Sequence, residues 1–139
     1  MTGERRKDDG QSLVEFAIGI VLFLLMLIGI VDLGRAVYQL SGVSQAAREI
    51  ARTTSVHPGT TLGNSPETAA TFAVQSRLVP GLSVSSYACV DIGGADVTGT
   101  CKPGNWVRVT VVSRFVPSLP LLNLVGPIDL ASSGSAEIE

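Results

Sequence analysis

The sequence predicts an α+β protein built on one long N-terminal helix. Residues 16–31 carry no charged or polar side chain, and a helical pattern of apolar positions continues beyond them to about residue 54. After a second helical segment, the remaining chain has the alternating pattern typical of strands. We therefore expect a transmembrane and stalk helix, followed by a small domain with an antiparallel sheet and a second helix.

Composition narrows the class of protein. The chain has 139 residues, a net charge of −2, 45% hydrophobic and 16% charged residues. One domain is expected at this length, and the charged fraction lies below the roughly 25% of soluble domains. No basic stripe indicates a nucleic-acid partner. With His57 as the single histidine, a catalytic triad or a multi-histidine metal site is hard to build. We expect no enzyme activity, metal, cofactor or small-molecule substrate.

The apolar segment is long enough for a membrane anchor. From Leu13 to Val31 it is interrupted only by Glu15, and at about 1.5 Å per residue it covers most of a hydrocarbon core of about 30 Å. The basic cluster at residues 5–7 favours a cytoplasmic N-terminus and an exported C-terminal part, although three arginines follow the segment. A cleaved secretory signal is the alternative, but no A-x-A-like site follows the segment.

The helix is predicted to continue as a stalk. Small and apolar residues recur at steps of four and three: Leu33, Val37, Leu40, Ser44, Ala47, Ala51 and Thr54. Charged residues lie on other faces, and no proline occurs before Pro58. A single helix over about residues 13–54 would be about 60 Å long, with half of it in lipid.

The remaining elements follow from local signals. Residues 57–65 form a loop, and Ser65 followed by Pro66 begins a second helix that ends at residue 78. Strands are expected at 82–90 and 106–115, with a last strand within 130–139. The segment 115–122 is expected to be an edge or loop, because Pro117 and Pro120 cannot donate to a sheet.

Cys89 and Cys101 flank a glycine-rich turn. On the exported side of a membrane they would form a disulfide and stabilise a small core; two free thiols are the alternative. Two cysteines and one distant histidine cannot complete a zinc site. Asp91 and Asp96 in this turn lack the spacing of a calcium loop, so we interpret them as solvated.

Glu15 is the most informative single residue. A carboxylate near the start of an apolar segment opposes insertion unless it stays at the interface, and such an interfacial position is the simplest explanation. Its neighbours suggest another. The run Gly10-Gln11-Ser12-Leu13-Val14-Glu15-Phe16 resembles a type IV prepilin processing signal, and Glu followed by Phe resembles its Flp/Tad branch.

Further segments carry the same resemblance. Residues 45–52 (QAAREIAR) are similar to a stretch of TadE-like pseudopilins, and so is the ending with Phe115-Val-Pro followed by Leu121-Leu122. The resemblance is closest over about residues 10–54. It implies a minor pilin-like subunit of the Tad pilus machine, with a prepilin leader at 1–10, a transmembrane and stalk helix at 11–55 and an extracytoplasmic domain at 56–139.

The resemblance also implies partners and roles. A prepilin peptidase would cut between Gly10 and Gln11, and the other partners would be pilin or pseudopilin subunits, the pilus assembly platform and the lipid bilayer. Glu15 would pair with the new α-amino group of Gln11 and set the register of neighbouring subunits. Gln11 stands where many pilins carry an aromatic residue, which leaves N-methylation open.

Arg35, Arg48 and Arg52 are candidates for partner contacts on the stalk. The alternative is that they are solvated or paired within the helix, as Glu49 and Arg52 would be at a spacing of three. For the whole chain, the competing interpretation is a single-pass anchored binding or sensor module that retains residues 1–10. An anchored enzyme is a third possibility, for which the sequence shows no nucleophile and base pair.

Overall fold

The computed structural model describes residues 5–98, 101–118 and 126–138, with side chains from Gly10 onward. It confirms the predicted α+β class. Two helices precede three strands: α1 (Arg5–Val56), α2 (Pro66–Leu78), β1 (Leu82–Val90), β2 (Trp106–Phe115) and β3 (Ile128–Glu137).

Some sequence-based expectations fall outside the described residues. These are the first four residues of the leader, the side chains at positions 5–9, and Pro120, Leu121 and Leu122.

α1 is one uninterrupted helix of 52 residues. It begins at Arg5 rather than near Leu13, because residues 5–12 contain no proline and a single glycine does not interrupt the helix. It ends at Val56, just before Pro58, and the His57 N–H still donates to the Thr53 carbonyl at 3.0 Å. The predicted continuity from the apolar segment into the stalk is therefore observed.

α2 has the boundaries that its capping residues predict. The Ser65 hydroxyl oxygen accepts a hydrogen bond of 3.1 Å from the Thr68 N–H, and Pro66 occupies the first turn. Ser65 has extended backbone angles, as an N-cap residue does. At the other end the Val79 N–H donates to the Gln75 carbonyl.

The sheet is antiparallel in the order β1-β2-β3. Val109 at its centre lies opposite Tyr87 on one side and Gly134 on the other. β1 and β2 have the predicted limits, and β3 begins two residues before the expected range. β1 carries an irregularity between Val84 and Ser86, whereas β3 pairs with β2 in continuous register over all ten residues.

The core lies between one face of the sheet and the C-terminal half of α1. It is formed by fully buried residues of α1 and of β2: Val43, Ala46, Ala47, Ile50, Ala51, Val107, Val109 and Val111. α1 and β3 pack very closely at Gly134. A Cβ placed on this residue would lie 2.6 Å from backbone atoms of Ala47 and Arg48. Glycine permits this approach.

The stripe of residues predicted to pack on the domain is buried only in the C-terminal part of α1. Ala47, Ala51 and Thr54 are buried, but Leu33, Val37 and Leu40 are 66%, 57% and 42% exposed. Instead, a polar strip of α1 that includes Asp32 and Gln39 faces the end of β2. Hydrophobic periodicity does not predict that this strip faces the sheet, because the strip is held by hydrogen bonds and not by burial of apolar side chains.

Candidate functional site on the N-terminal helix

The candidate processing signal lies inside α1. Gly10 and Gln11 are consecutive helical residues, and both are exposed. A Cβ on Gly10 would meet no atom within 4 Å, so other described parts of the chain do not shield this peptide bond. In this helix, Glu15 follows Gln11 by four residues, or about one turn and 6 Å of rise. A cation at the N-terminus of Gln11 would therefore have a carboxylate on its own face of the helix.

Glu15 lies at one end of an exposed apolar surface. Leu13 and Phe16 beside it are 68% and 69% exposed, and large apolar side chains remain exposed along the helix as far as Val31. α1 is long and apolar enough to cross a membrane, and no residue of its most apolar window is buried in the structure. This surface is thus left for lipid or for other apolar helices.

A polar contact joins the domain to α1 where the apolar segment ends. Asp32 is buried, and its carboxylate accepts a hydrogen bond of 2.9 Å from the Ser118 N–H. Arg35 forms an ion pair with Asp32 at 3.3 Å and donates to the Ser118 hydroxyl at 2.6 Å. Its guanidinium also lies 5.8 Å from the centre of the Phe115 ring. The structure therefore places Arg35 in contact with its own chain.

A second polar contact lies one to two turns further along α1. The Gln39 side-chain amide donates to the Ser113 hydroxyl at 2.6 Å, and that hydroxyl donates to the Pro80 carbonyl at 2.8 Å. Ser113 is fully buried. This chain of hydrogen bonds joins α1, the end of β2 and the turn before β1, which fixes the lower edge of the domain to the stalk.

Arg48 and Arg52 lie higher on α1 and are exposed. Their exposure agrees with the alternative that they are solvated. The pair Glu49–Arg52, offered as an example, is not among the ion pairs of the described residues, which are Asp32–Arg35 and Asp96–Arg108. Neither the Arg48 nor the Arg52 guanidinium has a hydrogen-bond or ionic partner within the described part of the chain.

The far end of the domain is closed by the cysteine turn. A disulfide joins Cys89 and Cys101. Asp91 accepts a hydrogen bond from the Ala95 N–H at 2.9 Å, and the Val97 N–H donates to the Cys89 carbonyl at 2.7 Å. Within the described residues, no group of three or more His, Cys, Asp or Glu side chains is arranged to hold a metal ion. Asp91 thus supports the turn, and Asp91 and Asp96 are both exposed to solvent, as interpreted from the sequence.

Tyr87 on β1 covers the loop between the helices. A Cβ on Gly63 would lie 2.5–2.7 Å from atoms of the Tyr87 ring, and Gly63 has a φ of +82° that favours glycine. Burial raises the pKa of the Tyr87 hydroxyl above its ordinary value of 10.0. This contact holds the loop against the sheet.

The sequence pattern does not predict that Asp32, Gln39 and Ser113 join α1 to the domain. One signal was available for Asp32, which is the first charged residue after the apolar segment. A carboxylate at this position is either exposed to solvent or hydrogen-bonded within the protein. The sequence does not reveal that its hydrogen-bond donor is the backbone N–H of Ser118, 86 residues away.

Comparison with known families matches the same helix. Residues 10–52 fit the model of the family described as TadE-like protein. Over this segment the chain is similar to TadE-like proteins. The match begins at Gly10 and ends at Arg52, so it covers the candidate processing signal, the apolar segment and most of the stalk. No curated protein and no solved structure gives a significant match.

The match to the TadE-like family implies a protein associated with the Tad pilus. This family is a structural one and is not known as enzymatic. It also suggests other pilus components as partners. The resemblance seen in the sequence is thereby confirmed for α1.

Proposed function

We propose that this TadE-like protein is a non-enzymatic, minor pilin-like subunit that a prepilin peptidase processes and that takes part in Tad pilus assembly and surface adherence. One observation carries the proposal: the family match starts at Gly10, and Glu15 follows within an exposed apolar helix. An anchor alone requires apolar length. It does not require a carboxylate at this position, which makes Glu15 the residue that needs a further explanation.

The topology belongs to the proposal. The basic residues 5–7 hold the leader in the cytoplasm, α1 crosses the membrane once, and the domain lies outside. The polar contacts of Asp32 and Gln39 with Ser118 and Ser113 then lie just outside the lipid. They hold the sheet close to the membrane surface, so the domain and the anchor move as one body.

Cleavage would create the partner of Glu15. The α-amino group of Gln11 becomes a cation at the hydrocarbon boundary, one turn from the Glu15 carboxylate. The same pairing between neighbouring subunits would fix their axial register, because an unpaired charge in an apolar setting costs several kcal/mol, about 3–5. The exposed apolar side chains of α1 would contact lipid before assembly and neighbouring helices afterwards.

Glu15→Ala tests this role. We expect normal amounts of cleaved, membrane-inserted protein, since alanine preserves the helix and removes a charge from near the lipid. We also expect the variant to stop co-purifying with pilin partners and to abolish piliation. Glu49→Ala is the matched control, because Glu49 is an exposed carboxylate on the same helix outside the apolar segment, and it should leave piliation unchanged.

Two outcomes would contradict the proposal. Wild-type piliation by Glu15→Ala would show that the carboxylate is not needed for assembly. Loss of the Glu15→Ala protein from the membrane, with Glu49→Ala retained, would show that Glu15 serves stability instead.

A further inference from the structure

The two edge strands of the sheet, β1 and β3, differ in how regular they are and in how far other segments cover them. The outer edge of β1 is irregular between Val84 and Ser86, and the turn after it folds back onto its end, where Val90 bridges to Asp96. Within the described residues, β3 has neither a bulge nor a segment folded onto its outer edge. It runs in continuous register along β2, it contains no proline or lysine, and no described segment pairs with its outer edge. A regular, uncovered edge strand is a template for another strand.

α1 runs along β3 with a matching repeat. The Ser44 hydroxyl lies 2.9 Å from that of Ser132, and the peptide bond between Ala47 and Arg48 approaches Gly134. Arg52 lines a hollow together with Ala136 and Glu137, although Glu137 forms no ion pair with it. Four residues of helix rise about 6 Å and two residues of strand about 6.6 Å, so every fourth residue of this flank meets every second residue of β3.

Arg48 and Arg52 follow this repeat and lie on the β3 side of α1. The opposite flank of the helix is occupied by α2, where the hydroxyls of Thr53 and Thr71 lie 3.2 Å apart. A strand added beside β3 would lie about 4.8 Å beyond it. Its side chains on the helix-facing side would then lie beside these two arginines, whose guanidinium groups have no partner in the described part of the chain.

We propose that the outer edge of β3 accepts an extended segment of a partner protein, in which two carboxylates at positions i and i+2 pair with Arg48 and Arg52. Backbone hydrogen bonds to β3 supply affinity, and the acid-x-acid pattern supplies specificity. This goes beyond the proposed function, since it requires neither processing nor Glu15.

A second copy of this chain fits the edge less well. When two β3 strands pair antiparallel along their full length around Ser133, Asp129 of each lies opposite Glu137 of the other. Like charges directly opposite each other destabilise such a pair. Charge therefore favours a different, acidic segment as the occupant.

The test uses the full-length protein in detergent micelles and a labelled synthetic peptide of ten alternating Thr and Val residues, with Glu at its fourth and sixth positions. Two control peptides carry Lys in place of Glu, or N-methylated amides on the edge that would face β3. Fluorescence anisotropy measures binding, and hydrogen exchange measures protection of residues 128–137. Arg48→Ala and Arg52→Ala are compared with Arg77→Ala, which removes an exposed arginine of α2.

We expect the acidic peptide to bind and to slow exchange in β3. The lysine peptide, and the acidic peptide on the Arg48→Ala/Arg52→Ala double variant, should bind about tenfold more weakly, as two exposed ion pairs allow. Arg77→Ala should bind like the wild type, and the N-methylated peptide should give no protection.

Equal binding of the acidic and lysine peptides would overturn the proposal, and so would binding without protection of β3. Protection of β3 that rises with protein concentration in the absence of peptide would assign the edge to a second copy and also overturn it. Because piliation and cleavage are not measured, none of these results bears on the proposed pilin-like role.

Discussion

The Asp32 carboxylate accepts a hydrogen bond of 2.9 Å from the backbone N–H of Ser118, 86 residues further along the chain. Asp32 directly follows Val31, the last residue of the apolar segment, and is only 4% exposed. The contact therefore attaches the chain after β2 to α1 at the point where the helix would leave the membrane. Arg35 reinforces it through both residues.

Asp32→Ala should destabilise the domain. It leaves the Ser118 N–H without this acceptor and removes the ionic partner of Arg35, for an expected loss of about 1–3 kcal/mol in the free energy of unfolding. Denaturant unfolding measures this loss, and hydrogen exchange at Ser118 should become faster. Glu49→Ala, which removes an exposed carboxylate of the same helix, should change neither quantity. Equal stability of the two variants would show that the Asp32–Ser118 contact contributes nothing.

Tyr87 should make the domain sensitive to alkaline pH. Since burial raises the pKa of its hydroxyl above 10.0 in the folded protein, the unfolded chain releases this proton at a lower pH. The contribution of Tyr87 to stability is therefore complete below about pH 10 and is lost as the pH rises through the folded-state pKa.

The comparison of two variants checks this effect. In unfolding experiments over the alkaline range, Tyr87→Phe should lose stability less steeply than the wild type. Tyr38→Phe should follow the wild type, because Tyr38 is 82% exposed. Indistinguishable alkaline profiles for the two variants would contradict the assignment.

The disulfide should contribute measurably to stability. It links positions 12 residues apart, and closing a loop of this size restricts the unfolded chain by about 3 kcal/mol in the chain-entropy model. Reduction should lower the wild-type stability by this order and leave the Cys89→Ala/Cys101→Ala double variant unchanged. Protein recovered from the cell envelope should contain the linked peptides. Labelling of both thiols without prior reduction would refute this, and would also weaken the exported topology.

Local signals were sufficient to predict most element boundaries. Ser65 and Pro66 mark the start of α2 because capping is determined within one turn. Trp106 to Phe115 reads as a strand because its alternation matches a half-buried sheet. These features depend on neighbours in sequence, which a single chain displays directly.

The contacts between α1 and the sheet were not predictable in the same way. The apolar pattern at Leu33, Val37 and Leu40 continues the exposed surface of the apolar segment, so periodicity assigns these residues to a core that the structure forms elsewhere. Asp32 and Gln39 take that position through hydrogen bonds to partners 74 or more residues away. The close approach of Gly134 to α1 is equally non-local, and only the assembled fold reveals it.

The mass of the N-terminal peptide tests the proposed pilin-like function most directly. Protein extracted from membranes of cells with an active prepilin peptidase should begin at Gln11, because the basic leader holds the Gly10–Gln11 bond at the cytoplasmic face. Cells without the peptidase should yield the uncut chain, which controls for other proteases. An intact segment from Met1 to Gln11 in the cells with active peptidase would contradict the account and favour an anchored binding or sensor module.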